Sequence, residues 1–283
     1  MKSGIYKDVT NQEYHADKAL SSSKVKKLLT GTAASFKYHL DNPESIESDA
    51  LLRGSVLHAM LLEPLKFMDY FVFETSELKD KTKLAKNGGS KEDWDNLKKY
   101  AEHGKIPLVK YDMYKDCTGM RNSVQAHPWW KNIADHAVNE ISLFSEIEGI
   151  PVKARYDSLL DEKHIIDLKT SKNVLNTASI QRSIVDYGYH LSAAMYIEVG
   201  KSLGLEVDGF TWAFVEINAP YSCRFVEASA KMLDVGRDEF YKCLRKIKQC
   251  QESNNWPGYT LKIDKIDLPN WYASKEILFE SEL

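Results

Sequence analysis

The chain of 283 residues carries 38 basic and 41 acidic side chains, a formal net charge of −3, with 43% hydrophobic and 28% charged residues. That is enough to bury a sizeable core, as one large α/β domain or a core with an added lobe, and it excludes an intrinsically disordered chain. The negative total excludes a uniformly basic nucleic-acid binder, so any grip on phosphate must be local.

Residues 1–50 read as an irregular start followed by short helices, with Ser21-Ser22-Ser23 offering an N-cap to a helix that carries Val25, Leu28 and Leu29. Residues 51–62 predict a largely buried helix stopped by Glu63-Pro64. Residues 75–105 are polar and lysine-rich around Asn87-Gly88-Gly89-Ser90, which predicts a mobile loop or an exposed helix pair; a helix over 110–125 follows. The period then shortens. Ile141 to Ser145, Val152 to Leu160 and Ile165 to Thr170 predict three strands, with turns at Glu148-Gly149 and Asp161-Glu162-Lys163. A helical stretch over 177–203 breaks or bends near Gly188, and Phe210 to Ile217 and Arg224 to Glu227 predict two more strands. A last amphipathic helix over 229–252 turns Met232, Val235, Phe240, Leu244 and Ile247 inward, and the tail from Trp256 is aromatic and loop-like. With no internal repeat or low-complexity linker, a single domain over 1–283 is expected, mainly helical over 1–130, with the core and tail over 131–283.

No apolar run approaches the ~18 residues of a membrane span, and Met1-Lys2-Ser3-Gly4-Ile5-Tyr6 lacks a signal peptide's apolar centre, so a cytoplasmic protein is expected. Cys117, Cys223, Cys243 and Cys250 form no C-x-x-C pair, which leaves zinc or iron–sulfur ligation unsupported and reduced thiols expected.

The chemistry concentrates in Ile165-Ile166-Asp167-Leu168-Lys169-Thr170. On a strand Asp167 and Lys169 share a face, and such a pair on an apolar strand needs partners. Acid-x-Lys also occurs at Glu77-Leu78-Lys79 and Asp161-Glu162-Lys163, but there in polar surroundings. A hairpin turning at 161–163 brings Asp157 beside Asp167. Two acids and a lysine on neighbouring strands suit phosphodiester hydrolysis, because a hard cation such as Mg²⁺ takes carboxylate and phosphate oxygens together. This is the logic of the PD-(D/E)xK nuclease site, with Tyr156 in place of the usual proline. In Gly54-Ser55-Val56-Leu57-His58, glycine and histidine share a helical face. His58 is either a satisfied core residue or a ligand to a second cation, with Gly54 allowing close approach of another element. Glu140 precedes the strand leading to Asp157 and is either a further ligand or a solvated acid. Lys24, Lys26 and Lys27, and Arg245, Lys246 and Lys248, are either solvated faces or phosphate contacts.

Taken together, these residues resemble the RecE-type (exonuclease VIII) branch of the RecB-like nucleases. The resemblance rests on Gly4-Ile5-Tyr6, Tyr14-His15, Leu20-Ser21-Ser22-Ser23, Gly54 with His58, Arg155-Tyr156-Asp157, Asp167-Leu168-Lys169-Thr170, Tyr189-His190 with Tyr196, Trp256-Pro257, and Leu268-Pro269 with Trp271. It implies an α/β fold, a PD-(D/E)xK core with a central mixed sheet flanked by helices and a helical N-terminal cap. It implies a Mg²⁺-dependent 5′→3′ exonuclease on double-stranded DNA ends, with Mn²⁺ substituting, leaving 3′ single strands for an annealing partner of the RecT type. A homo-oligomeric ring in a bacterial or phage-infected cell is also implied. The implied metal ligands are His58, Asp157, Asp167 and Glu140, with Lys169 completing the catalytic group. Tyr189, His190, Tyr196, Lys24 and Lys26 are candidate DNA or phosphate contacts. The chain departs at Ser192, where the family places glutamine in Tyr-His-x-Gln-x-x-x-Tyr. Alternatives are an endonuclease or flap nuclease with the same site, a catalytically silent DNA-binding or anti-defence protein, and an iron–sulfur relative from CRISPR adaptation, which the cysteine spacing disfavours.

Overall fold

Eight strands are present in the computed structural model, which describes residues 1–43, 48–74, 90–104, 106–260, 262–263 and 265–268. They are β1 (Gly4–Tyr6), β2 (Val72–Phe73), β3 (Leu108–Val109), β4 (Ala137–Ile147), β5 (Ile150–Leu160), β6 (His164–Ser171), β7 (Gly209–Glu216) and β8 (Cys223–Glu227). Six form one mixed sheet in the order β1-β4-β5-β6-β7-β8, and β2 and β3 form a separate parallel pair. The Glu148-Gly149 turn has φ of +53° and +80°, the backbone that two-residue hairpins favour, and it sets the pairing from Ile147 with Ile150 to Ala137 with Leu160. β6 and β7 are parallel, so a crossover must join them.

Eleven helices are described: α1 (Asn11–Ala16), α2 (Ser22–Thr30), α3 (Ala33–Asp41), α4 (Asp49–Leu62), α5 (Phe67–Tyr70), α6 (Ser90–Gly104), α7 (Tyr111–Ala126), α8 (Pro128–Ile133), α9 (Thr177–Asp186), α10 (Tyr189–Ser202) and α11 (Ala230–Ser253). The crossover is α9 and α10, divided where Gly188 takes φ +58°, a conformation that costs other residues dearly. Ser48 caps α4 by accepting the Leu51 N–H at 3.2 Å, and Glu63 ends it before Pro64. Ser21 stands at the N-cap of α2, but its hydroxyl meets Ser23 Oγ rather than the helix backbone.

The sheet divides two apolar cores. On one face Ile165, Phe210, Trp212 and Phe214 pack with residues of α2, α3, α9, α10 and α11; on the other Ile166, Leu168, Ala213 and Val215 pack with α4, α5, α7 and α8. Alternation along the strands therefore assigns each residue to one helical layer.

The structure departs from the sequence reading in several places. β1 pairs with β4, from Gly4 opposite Phe144 to Tyr6 opposite Ser142, so the N-terminal part also supplies an edge strand; three residues are too short to show a period. Val235, expected inward on the last helix, is exposed, and the buried face of α11 is carried by Leu233, Gly236, Phe240, Cys243, Leu244, Ile247 and Cys250. Gly236 matters because a Cβ there would come within 2.3 Å of the His190 carbonyl oxygen on α10. Glu77-Leu78-Lys79, Asn87-Gly88-Gly89, Pro269 and Trp271 lie outside the described residues. No described helix is long and apolar enough to cross a membrane.

Candidate active site

One row crosses three strands. Asn139 pairs with Ser158 and Ile141 with Tyr156, which sets Glu140 opposite Asp157; extending the pairing of Ser158 with Ile166 by one step sets Asp157 opposite Asp167. At this row the alternation of β4 and β5 skips a beat. Val152, Ala154 and Tyr156 enter the core of α10, yet the next residue of β5 to do so is Leu159. On β4, Ile141 enters that core while Asn139 turns to the opposite layer, donating to the Leu62 carbonyl at 3.2 Å. Glu140 absorbs the change with φ +52°. A non-glycine residue held there inside a strand is strained, and such strain gathers at functional sites. Both strands slip together, so the register is continuous on either side.

The ladder between β5 and β6 ends at Ser158 and Ile166. Beyond it the Asp157 carboxylate takes over, accepting the Leu168 N–H at 2.6 Å. The Leu168 carbonyl faces His58 Nε2 at 3.2 Å and accepts from Lys169 Nζ at 3.3 Å. A single peptide residue thus anchors an acid, an imidazole and an ammonium. Leu168 itself is an apolar residue of the core on the α4 side, and its backbone role has no sequence signature.

His58 reaches the row from α4. With Nε2 against a carbonyl, its Nδ1 is left to face Asp157 Oδ1 at 3.5 Å and Glu140 Oε1 at 3.8 Å. His58, Glu140 and Asp157 place ligand atoms within 4.8 Å of one another, and this mixed nitrogen and oxygen set fits a divalent cation. A second partner fixing the ligating imidazole is what metal sites require. Burial pulls the His58 pKa down, but the Asp157 and Glu140 carboxylates reverse this and lift it to about 9. Burial raises Asp157 to about 7 against the opposing pull of His58. The pair therefore retains a proton that a cation would displace. Arg155 steadies Glu140 from behind at 4.0 Å while donating to Ser142 Oγ at 2.8 Å and to the Val9 carbonyl at 2.7 Å.

Asp167 stands next in the row but is ion-paired with Lys169 and lies outside the three-residue set. The acids, Asp167 first, outweigh burial and hold Lys169 firmly protonated. Gly54 does share the His58 side of α4, but not for the expected reason: a Cβ there would meet nothing within 4 Å, so open space lies beyond it.

The other candidates separate. Tyr189, at the start of α10, holds its ring 5.4 Å from Lys169 Nζ and 5.5 Å from Lys26 Nζ. Lys24 is half-buried on α2, away from this ring, and burial lowers its pKa. His190 is withdrawn from any phosphate: Nε2 meets Glu239 Oε2 at 2.7 Å and Nδ1 faces the Ile184 carbonyl at 3.2 Å, tying α10 to α11 and α9. Tyr196 sets its ring tilted against Tyr156, whose hydroxyl donates to the Tyr196 carbonyl at 2.7 Å, and burial, with Asp167 and Asp157 adding to it, holds the Tyr196 phenol well above its ordinary pKa. Ser192 is buried with its hydroxyl turned back to the Gly188 carbonyl at 3.4 Å, so it does not replace a glutamine side chain at the site. Arg245, Lys246 and Lys248 lie on α11, which packs against α10 and carries none of the acid row.

Comparison with known proteins bears on this geometry. A sequence model described as a PDDEXK-like domain of unknown function (DUF3799) matches residues 21–269. No curated protein sequence matches at a significant level. A crystal structure from Eubacterium rectale, provisionally described as an exonuclease, is similar with a TM-score of 0.61 at 16% identity, over 95% of this chain and 99% of that one; likeness at this identity concerns the fold. The structure of SSO0001 covers 72% of this chain and 95% of its own length at 14% identity, with a TM-score of 0.27 that carries no argument.

Proposed function

The chain belongs to the PDDEXK-like family, and on that premise we propose that it is a metal-dependent deoxyribonuclease that degrades linear duplex DNA from its ends. The observation that carries this reading is the row of Glu140, Asp157 and Asp167 across adjacent strands, with His58 and Lys169 closing on it through Leu168. Polarity from 5′ to 3′, release of 3′ single strands to an annealing protein of the RecT type, and assembly into a ring rest on the resemblance to RecE-type exonucleases. Mg²⁺ is the expected cation, with Mn²⁺ substituting.

Each residue has a part in that reading. His58, Glu140 and Asp157 would hold the cation, and Asp167, whose carboxylate is paired with Lys169, would be a further ligand. A divalent ion bound there supplies a Lewis acid for a phosphate oxygen and a water of lowered pKa. Lys169 keeps its proton and neutralises charge developing on the phosphate under attack. The two Leu168 anchors hold Asp157 and His58 in place before substrate arrives, which spares reorganisation during the reaction.

The test is digestion of end-labelled linear duplex beside a supercoiled circle, with Mg²⁺ and with EDTA. Loss of the linear form with the circle intact, abolished by EDTA, is the expected result. Cutting of the circle would favour the endonuclease reading, and inertness of both substrates the silent DNA-binding one.

A further inference from the structure

Two tyrosines flank Gly188, where the crossover helices α9 and α10 part. On an unbroken helix, residues two apart do not face each other. The left-handed turn at Gly188, φ +58°, undoes this and stacks Tyr187 on Tyr189, with ring centroids 5.5 Å apart and planes at 30°. Tyr189 in turn lies 5.4 Å from Lys169 Nζ, so Tyr187 stands two contacts from the charged end of the acid row. One face of the Tyr187 ring is covered by Tyr189, yet the residue is 60% exposed, which leaves much of the ring in water. Beside it opens a cavity of about 300 Å³, lined by Asn173 and Val174 from the segment after β6 and by Arg182, Ser183 and Asp186 of α9. Arg182 and Asp186 set opposite charges one turn apart on its wall, and neither is ion-paired among the described residues. The Asp186 carboxylate repels a phosphate there. A base edge, which presents donors and acceptors together, suits both charges.

We propose that Tyr187 and the cavity beside it hold an unpaired nucleobase of the DNA strand whose phosphate lies at the acid row. The proposal rests on the nuclease reading above. A base inside a duplex has both faces stacked and its edge paired, so only a base that has left the duplex can lie on Tyr187. The platform therefore takes the strand after it parts from its complement, and it replaces some of the stacking lost in that separation. Stacking on an aromatic ring tolerates any sequence, because every base has a π face. Tyr189 backs Tyr187 and the Gly188 turn fixes the pair, so little ordering remains to be done when the base arrives. Recognition here is by ring and not by charge, which separates this site from the lysines around Tyr189.

Tyr187→Ala removes the platform, Tyr187→Leu keeps apolar bulk without a π face, and Tyr187→Trp keeps the face. The probe is a labelled single-stranded oligonucleotide, bound with Ca²⁺ in place of Mg²⁺, beside the same strand carrying an abasic nucleotide at each position in turn. Tyr187→Ala should bind the intact strand about tenfold more weakly, the worth of one stacked base, with Tyr187→Leu close to it and Tyr187→Trp close to wild type. One abasic position should weaken the wild type by the same factor and leave Tyr187→Ala unaffected, as expected when both changes remove one contact. The slope of log K against log salt should be the same in all the proteins, because a stacked base releases no counterion. Mn²⁺ binding followed by calorimetry should also be the same, which puts the loss outside the cation site. Equal affinity of Tyr187→Ala and wild type for the intact strand, or a loss that comes with a shallower salt slope, overturns the base site and leaves the nuclease reading intact. Wild-type protein that neither binds nor digests DNA, single-stranded or duplex, overturns both.

Discussion

The Asp157 carboxylate accepts the Leu168 N–H at 2.6 Å, one step past the point where the β5–β6 ladder ends. A side chain therefore does the work of a backbone carbonyl, and the same carboxylate offers its other oxygen to the site. Asp157→Ala and Asp157→Asn should both abolish DNA digestion. In EDTA, however, the asparagine variant should be more stable than the alanine variant by about 1 kcal/mol, because it retains an acceptor for a buried N–H. Urea unfolding of the two proteins checks this; equal midpoints would deny the cap any structural weight.

Asp167→Ala and Lys169→Ala should each abolish digestion while the fold persists, and the double variant should be no worse than either single one, as expected of groups that act as a unit. Rates with end-labelled duplex, beside circular dichroism of each variant, provide the comparison.

Cation binding should depend on pH in a defined direction. His58 has a folded pKa of about 9 against an ordinary 6.5, so its contribution to stability is complete below pH 6.5 and is lost as pH rises through 9. Asp157, raised to about 7 from 3.8, carries a penalty that develops between those values and is complete above 7. Both effects make the metal-free protein less stable as pH rises. Mn²⁺ must displace the shared proton, so its affinity should rise from pH 6 towards pH 9 with proton release. Calorimetry in two buffers of different ionisation enthalpy measures the protons, and His58→Ala should release fewer.

Two helical glycines should respond oppositely to alanine. Gly54→Ala adds a methyl group to open space and should stabilise the protein by roughly 0.5–1 kcal/mol through helix propensity. Gly236→Ala drives a methyl group into the His190 carbonyl and should lose about 1–3 kcal/mol despite the same propensity gain. Thermal melts with EDTA present separate these effects from metal binding.

Assembly into a ring is a proposal that rests on the resemblance to RecE-type exonucleases. With a net charge of −3, one chain has little field to hold DNA, whereas a ring sums modest positive surfaces around a channel. Sedimentation and light scattering should show a homo-oligomer, and a competitor trap should show digestion continuing after challenge. Processive digestion by a monomer would remove the ring and keep the chemistry.

The sequence showed Asp157, Asp167 and Lys169 as neighbours because one short hairpin joins their strands, and local register follows from alternation. The break at Gly188 and the helix 51–62 were equally visible, through a residue that permits positive φ and a proline that ends a helix. His58 was placed by its motif, since its approach to Leu168 spans 110 positions and no periodicity encodes such a distance. Glu140 could not be settled, because its backbone reversal depends on two cores pulling one strand in opposite senses. His190 misleads for a related reason: a polar side chain at a motif position looks the same in sequence whether it faces a ligand or, as with Glu239, a partner on another helix. Val235 fell on the exposed side of α11 because Gly236, with no side chain, marks the line of closest approach.

The skipped beat at Glu140 and Asp157 also has a consequence for how the protein folds. Strands β4 and β5 feed one apolar core on both sides of the skip, and past it they also turn Asn139 and Leu160 to the opposite layer. Sliding either by one residue would send apolar side chains out of both layers at once. Neither layer can settle on a wrong pairing without the other failing too, so the alignment of the acids is proofread twice.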